Sequence, residues 1–251
     1  MTIAIIAALP EELGALLTDM SAVEVETVAG RQLHRGRFGT TPGVAVLSGI
    51  GKVAAALTAT LLIERYDVTD IVFVGVAGAA DPRLRIGDVV VASEFVQHDM
   101  DASPLFERFE VPLTGRSRFA VDASWHARLT AATHDYLTHD FAADIDADTR
   151  HAFGLARPAV HAGLIASGDE FVNAADRVEA LRAALPGLLA VEMEGAAVAQ
   201  VCDAYAVCFA ALRTISDTAD HAAATDFPRF IEHVAGRYAH GIVRRLFGMP
   251  A

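Results

Sequence analysis

The chain has only two cysteines, Cys202 and Cys208, too few for a disulfide framework. They read as plain buried thiols of a reducing compartment, which points to the cytoplasm. No apolar run approaches the roughly 20 residues that cross a bilayer, so no membrane partner is expected. The opening "MTIAIIAALPEEL" lacks a basic segment before its short apolar run, and Pro10, Glu11 and Glu12 end that run. It is a poor signal peptide. Positive charge is also scarce: 20 Lys and Arg face 32 Asp and Glu, a formal net charge of -12. Binding of nucleic-acid polymers needs clustered Lys and Arg, so that partner class is excluded, whereas a neutral nucleoside is not.

Several motifs are missing as well. Gly75 and Gly78 in "GVAGAADPRLRIGD" are wrongly spaced for G-x-G-x-x-G, and there is no Walker loop. No G-x-S-x-G elbow marks a serine hydrolase. No Pro/Gly/Ser linker or internal repeat divides residues 1–251, which are expected to form a single α/β domain. "HDMD" (98–101) and "DTADH" (217–221) offer His98, Asp99 and Asp101, or Asp217, Asp220 and His221, as metal ligands. No further His or Cys completes either set, so solvated loop residues or caps are the preferred reading.

What is present is an alternation of apolar runs with helical patterns. "TIAIIAAL" (2–9), "DIVFVGVAG" (70–78), "GDVVVASEFVQHD" (87–99), "VHAGLIASGDEF" (160–171), "LLAVEME" (188–194) and "VCFAALRTISD" (207–217) read as strands buried on both faces. "RQLHRGRF" and "GVAVLSGI" read as a strand pair around "GTTPG". Helices are expected over 52–66, over "GAAVAQVCDAYA" with Val198, Val201, Cys202 and Tyr205 on one face, and over "DFPRFIEHVAGRYAHGIVRRLF". The apolar stripe of the last is Phe230, Ile231, Val234, Tyr238 and Ile242. Residues 100–158 are less regular: "PLFERFEVPLTGRSRF" reads as an ordered loop and "DFAADIDADTRHAFGLARP" as an excursion or a mobile loop.

Three acids share one context. Glu12 follows the first strand, Glu194 ends the fifth buried strand, and Asp217 ends the last. Ligands of open α/β sheets bind beyond the carboxyl ends of strands, where three carboxylates can supply an acid, a base and a diol acceptor. Helix capping explains each acid singly. The glycine-rich 75–88 segment lets backbone approach a ligand closely, or is simply two turns.

"SGIGKVAAALTATLLIE" (48–64), "RIGDVVVASE" (85–94), "SGDEFVN" (167–173), "VEMEGAAVAQVC" (191–202) and "RTISDTAD" (213–220) together resemble the bacterial 5′-methylthioadenosine/S-adenosylhomocysteine nucleosidases, of the wider nucleoside phosphorylase superfamily. The resemblance implies a three-layer α/β/α fold with a mixed central sheet, a homodimer, no metal or organic cofactor, and hydrolysis of the adenine–ribose bond. By this resemblance Asp217 protonates adenine N7, with Ser216 positioning it. Phe171 stacks on the adenine, and the Val172 backbone contacts its edge. Glu194 accepts the ribose hydroxyls, and Met193 packs on the sugar. Glu12 orients the attacking water, with Arg213 nearby. Ile50 and Val76 belong to the same pocket, and Leu105 or Phe106 would close the 5′ side of a partner's site. Glu192 has no assigned role beyond a structural one at the strand end.

The chemistry is coherent without the family. A departing purine leaves more easily when protonated, so Asp217 is expected to have its pKa raised by burial. A carboxylate beside the sugar stabilises developing positive charge. "PEEL" after the first strand is acidic where a phosphorylase needs phosphate ligands, and no arginine precedes "GVAGAA", which favours water over phosphate. The alternatives are a phosphate-dependent phosphorylase of the same fold and a non-catalytic nucleoside-binding protein. The chain departs from the family at Val76, where Ser or Thr is usual, at Ala79–Ala80, at Pro10 and in a longer 136–158 segment. These departures bear on the 5′ substituent.

Overall fold

The computed structural model describes residues 2–219 and 223–249. Strand β1 (Ile3–Ala7) is wholly buried, and helix α1 (Pro10–Thr18) follows directly. Pro10 suits this start because its missing N–H would be unpaired in a first helical turn anyway. The run that Pro10 ends therefore turns into a helix. Next come β2 (Met20–Val28), β3 (Arg31–Phe38), β4 (Thr41–Leu47) and α2 (Lys52–Tyr66). Strand β2 is an addition to the sequence reading. It is exposed along nearly all its length at the sheet edge, so no buried face announces it, and Glu24 and Glu26 guard that edge.

The expected strand 70–78 is two strands, β5 (Asp70–Phe73) and β6 (Val76–Ala79). Gly75 lies between them, against the side chains of Glu12 and Arg213. A side chain at Gly75 would put its Cβ 3.2 Å from Glu12 Oε1 and 3.5 Å from an Arg213 nitrogen. Strands β7 (Val89–Gln97) and β8 (Arg118–Ala120) lead to α3 (Ala123–His139), which the sequence reading left inside an irregular stretch. Its signal is there: Trp125, Leu129, Ala132, Thr133 and Tyr136 form a buried stripe, and Asp122 caps the Trp125 N–H at 2.9 Å. Residues 140–158 are also more regular than expected. They contain α4 (Phe141–Asp144) and α5 (Ala147–Ala152), with Phe141, Ile145 and Leu155 in the core.

Strand β9 (Val160–Ser167) stops four residues before its expected end and releases the 168–174 loop. Helix α6 (Ala175–Ala184) was not anticipated, having few apolar residues to mark a face. Strand β10 (Leu188–Glu192) ends at Glu192, so Glu194 is the N-cap of α7 (Gly195–Tyr205) rather than a strand residue. Within α7, Val198 and Cys202 are buried as expected, but Tyr205 is exposed. Strand β11 (Cys208–Asp217) matches its expected span. The expected closing helix is α8 (Ala223–Phe230) and α9 (Gly236–Phe247), joined by a π-helical turn at Ile231–Ala235. Pro228 has no N–H for the helical ladder, and the widened turn follows it.

Among the described residues, eleven strands form one mixed sheet in the order β2-β3-β4-β1-β5-β11-β6-β10-β9-β7-β8. Long β11 runs parallel to β5 and then β6, and its middle also pairs antiparallel with β7, so this half of the sheet curls on itself. Helices α1, α3 and α9 pack on one face around Leu13, Trp125, Tyr136 and Ile242. Helices α2 and α7 pack on the other around Ala59, Leu62 and Val198. This is the three-layer α/β/α arrangement. No helix among the described residues is long and apolar enough to cross a membrane.

Candidate active site

The carboxyl ends of β1, β5, β10 and β11 open into a cavity of about 280 Å³. Glu12, Ile50, Val76, Phe171, Val172, Met193, Glu194, Arg213, Ser216 and Asp217 all line it. The acids from three distant stretches thus meet in one place. Leu105 and Phe106 do not line it; Leu105 is 83% exposed.

Glu12 is 1% exposed. It lies in the first turn of α1, and its Oε2 accepts the N–H groups of Ala8 and Leu9, each at 3.0 Å. This is the backward reach of a capping acid, as the capping reading of the sequence expects. The second oxygen, Oε1, is buried and makes no well-formed hydrogen bond among the described residues, with the Val76 N–H a donor that favours the anion. Burial pushes Glu12 up to about 7, against the Leu9 N–H and the Arg213 charge, which favour its anion.

Glu194 is 6% exposed. Its Oε1 accepts the Gly51 N–H at 2.9 Å. Burial, reinforced by the negative charge of Glu192, pushes it up to about 7. Asp217 is 2% exposed. Its Oδ2 accepts the Ser216 hydroxyl at 2.8 Å, and its Oδ1 accepts the Ala219 N–H at 2.8 Å. The β11–β6 register shifts between Ile215 and Asp217, a bulge of the kind that re-aims side chains at sites. A Cβ on Gly78 would sit 2.9 Å from Asp217 Oδ1, so glycine at this strand end leaves room for that carboxylate.

Arg213 lines the cavity but is only 1% exposed, and its guanidinium is engaged. It pairs with Glu192 at 2.7 Å and donates to the Phe73 and Leu212 carbonyls at 3.2 and 3.1 Å. Glu192 also accepts the N–H groups of Glu194 and Gly195 and the Ser167 hydroxyl. The acid without an assigned role therefore turns the chain from β10 into α7 and sets Glu194 at the cavity wall.

Phe171 is 43% exposed and is held edge-on by Phe227, with centroids 5.6 Å apart. Phe227 is a cavity residue that the sequence reading missed. Its signal is modest: it lies one turn before the buried stripe of the closing helix. Glu170 was also missed; it lines the cavity and pairs with Arg177 at 2.6 Å.

Of the two metal readings, "HDMD" has other partners: Asp99 pairs with Lys52 and Asp101 caps the Ser103 N–H. In the second, Asp220 and His221 lie outside the described residues. No group of three His, Cys, Asp or Glu among the described residues is arranged to hold a metal ion.

The sequence model of the Phosphorylase superfamily matches residues 2–247. The chain is 37% identical over 248 residues to the 5′-methylthioadenosine/S-adenosylhomocysteine nucleosidase of Geobacillus thermodenitrificans, spanning 98% of this chain and 96% of that one. Its fold is similar to that of the Neisseria meningitidis nucleosidase of the same name, solved in complex with methylthio-immucillin-A. There the TM-score is 0.85 at 30% identity, over 99% of both chains. It is also similar to the futalosine hydrolase of Helicobacter pylori, with a TM-score of 0.83 at 31% identity over 98% of this chain and 97% of that one. The chain belongs to the phosphorylase superfamily and, within it, to the 5′-methylthioadenosine/S-adenosylhomocysteine nucleosidase family.

Proposed function

We propose that the protein hydrolyses the N-glycosidic bond of 5′-methylthioadenosine, S-adenosylhomocysteine or a related adenine nucleoside, releasing adenine. The observation that carries the reading is the convergence of Glu12, Glu194 and Asp217 on one cavity. In this reading Phe171 and Val172 hold the purine, and Met193 and Glu194 hold the ribose. Asp217, oriented by Ser216, gives its proton to N7 as the C1′–N9 bond breaks. The electron pair of that bond leaves with the base. Glu194 stabilises the positive charge growing on the sugar. A water oxygen then bonds to C1′, and its proton goes to Glu12. The Oε1 of Glu12, which makes no well-formed hydrogen bond in the cavity, suits that water.

Hydrolysis is favoured over phosphorolysis by charge. The cavity's arginine is neutralised by Glu192 at 2.7 Å, and Glu12 would repel a phosphate dianion. The likeness to futalosine hydrolase keeps the 5′ substituent open within the same reaction class. The chain is proposed to act as one domain in a cytoplasmic homodimer serving methionine salvage. Val53 and Leu57, exposed one turn apart on α2, support the dimer. In it, Leu105 or Phe106 would close the partner's 5′ pocket.

The test is adenine release, followed by chromatography, from nucleosides with different 5′ groups in phosphate-free buffer. Wild type is expected to release adenine, and Asp217→Asn to lose about 10²–10⁴-fold in kcat with the fold intact. Folded wild-type protein that releases no adenine, or does so only with phosphate, would overturn the reading.

A further inference from the structure

The "HDMD" run is the sequence motif that neither a metal nor the proposed reaction absorbs, and its Asp99 sits where three segments meet. Asp99 Oδ1 accepts Lys52 Nζ at 2.6 Å, and Oδ2 accepts the Asp169 N–H at 2.9 Å. Asp169 in turn accepts the Lys52 N–H at 2.8 Å. One residue earlier, the Gly51 N–H donates to Glu194 at 2.9 Å. Lys52, the only lysine in the chain, also reaches Gln97 Oε1 at 3.0 Å, and Gln97 donates to Gln200 of α7 at 2.6 Å. A ring of hydrogen bonds therefore joins the start of α2, the end of β7 and the 168–174 loop. At one end of it is the Glu194 carboxylate, and at the other the loop bearing Phe171 and Val172.

The backbone is shaped for this contact. Gly51 has φ +92°, and a Cβ there would lie 3.0 Å from Asp169 Oδ1. Gly168 lies so close over the His98 ring that a Cβ there would clash with it. The side chains of Lys52 and Asp99 are only 16% and 28% exposed, so water screens the pair less than it does an open surface bridge. Burial favours a protonated Asp99, but Lys52 and the Asp169 N–H outweigh it and hold the group below the usual carboxylate range.

We propose that Asp99, held by Lys52, is a positioning residue that sets the distance between the sugar-side carboxylate Glu194 and the base-holding loop. A nucleoside is thereby gripped on both sides of the bond that breaks. The inference rests on the nucleosidase reading above. Alignment on both sides matters most in the transition state, where small misplacements are costly. Free adenine touches only the base side and needs no such alignment.

The experiment measures kcat and KM for methylthioadenosine, together with adenine affinity by calorimetry. It compares wild type with Asp99→Asn, Lys52→Met and Lys52→Arg, each checked for folding by circular dichroism. Asp99→Asn and Lys52→Met are expected to lose about tenfold in kcat, the scale of one charge-assisted hydrogen bond. Their adenine affinity is expected to change less than about twofold. Lys52→Arg retains a donor for Asp99 and should recover most of the loss. Active wild type with unchanged kcat in whichever of Asp99→Asn and Lys52→Met folds overturns the inference. Equal losses of kcat and adenine affinity overturn it too, because they mark a merely structural role. Wild type that releases no adenine overturns the nucleosidase reading itself, and the inference with it.

Discussion

Glu192 accepts hydrogen bonds from Arg213, from Ser167 and from the backbone of Glu194 and Gly195. Its partner Arg213 lies 21 residues further along the chain, so no local pattern could announce the pair. The sequence places two acids around Met193 without distinguishing them; the fold divides their work. Glu192 faces a buried guanidinium and builds the wall, while Glu194 faces the cavity. Removing one member of such a pair leaves an uncompensated buried charge, which costs about 3–5 kcal/mol. Arg213→Met is therefore expected to lose stability on that scale in urea unfolding. The double variant Glu192→Gln/Arg213→Met should lose clearly less, because no charge is stranded. A double variant as unstable as the sum of Arg213→Met and Glu192→Gln measured singly would show that the ion pair is not the cause.

At the scale of elements, strand ends and glycines decide where side chains are aimed. Helix α7 starts so close to β7 that a Cβ on Gly195 would clash with the Phe95 ring. Phe95 is fully buried and packs on Phe209, so it has little room to yield. Gly195→Ala should cost about 1–3 kcal/mol by overpacking, despite the better helix propensity of alanine. Thermal unfolding measures this, and a melting temperature equal to wild type would mean that α7 is not held this close. The buried strands and the α2, α7 and closing helices were legible because their apolar runs are long and their periods clear. Strand β2 was not, because an exposed edge strand has no buried face to write into the sequence. Helix α6 was not, for want of an apolar stripe. Helix α3 was legible in its Trp125–Tyr136 spacing but was hidden among polar neighbours. The three acids were readable because one ends a strand and two follow one within a few residues, and such positions converge in α/β sheets. The Lys52–Asp99–Asp169 ring was not, because it joins three segments through single contacts.

For the whole molecule, the proposed site opposes stability through its buried acids. Glu12 rises from 4.5 to about 7 through burial, so the native state binds its proton more tightly than the unfolded chain does. Between these values the folded protein carries more protons, and stability falls as pH rises. The loss is absent below about pH 4.5 and complete above about pH 7. Glu194, raised to about 7, acts in the same direction. Asp81, lowered to about 2 chiefly by its bond with Arg83, contributes stability above the ordinary aspartate range that is lost on acidification. His98 and His34, lowered by burial, oppose the two glutamates, because their contribution grows as pH rises toward 6.5. The difference between wild type and Glu12→Gln cancels the Asp81, His98 and His34 contributions and most of that of Glu194, on which the Glu12 charge is the smallest influence. The substituted amide can still accept the Ala8 and Leu9 N–H groups through its carbonyl oxygen, but it cannot ionise. The variant's stability advantage should thus be smallest near pH 4.5 and grow through pH 7 by on the order of 3 kcal/mol, then level off. Urea unfolding from pH 4.5 to 8.5 measures it directly. Alongside this gain, Glu12→Gln should lose adenine release, since the same ionised carboxylate that strains the fold is the one proposed to take the proton from water. A stability difference that stays constant across that pH range would show that Glu12 titrates as an ordinary glutamate and is not the poised base.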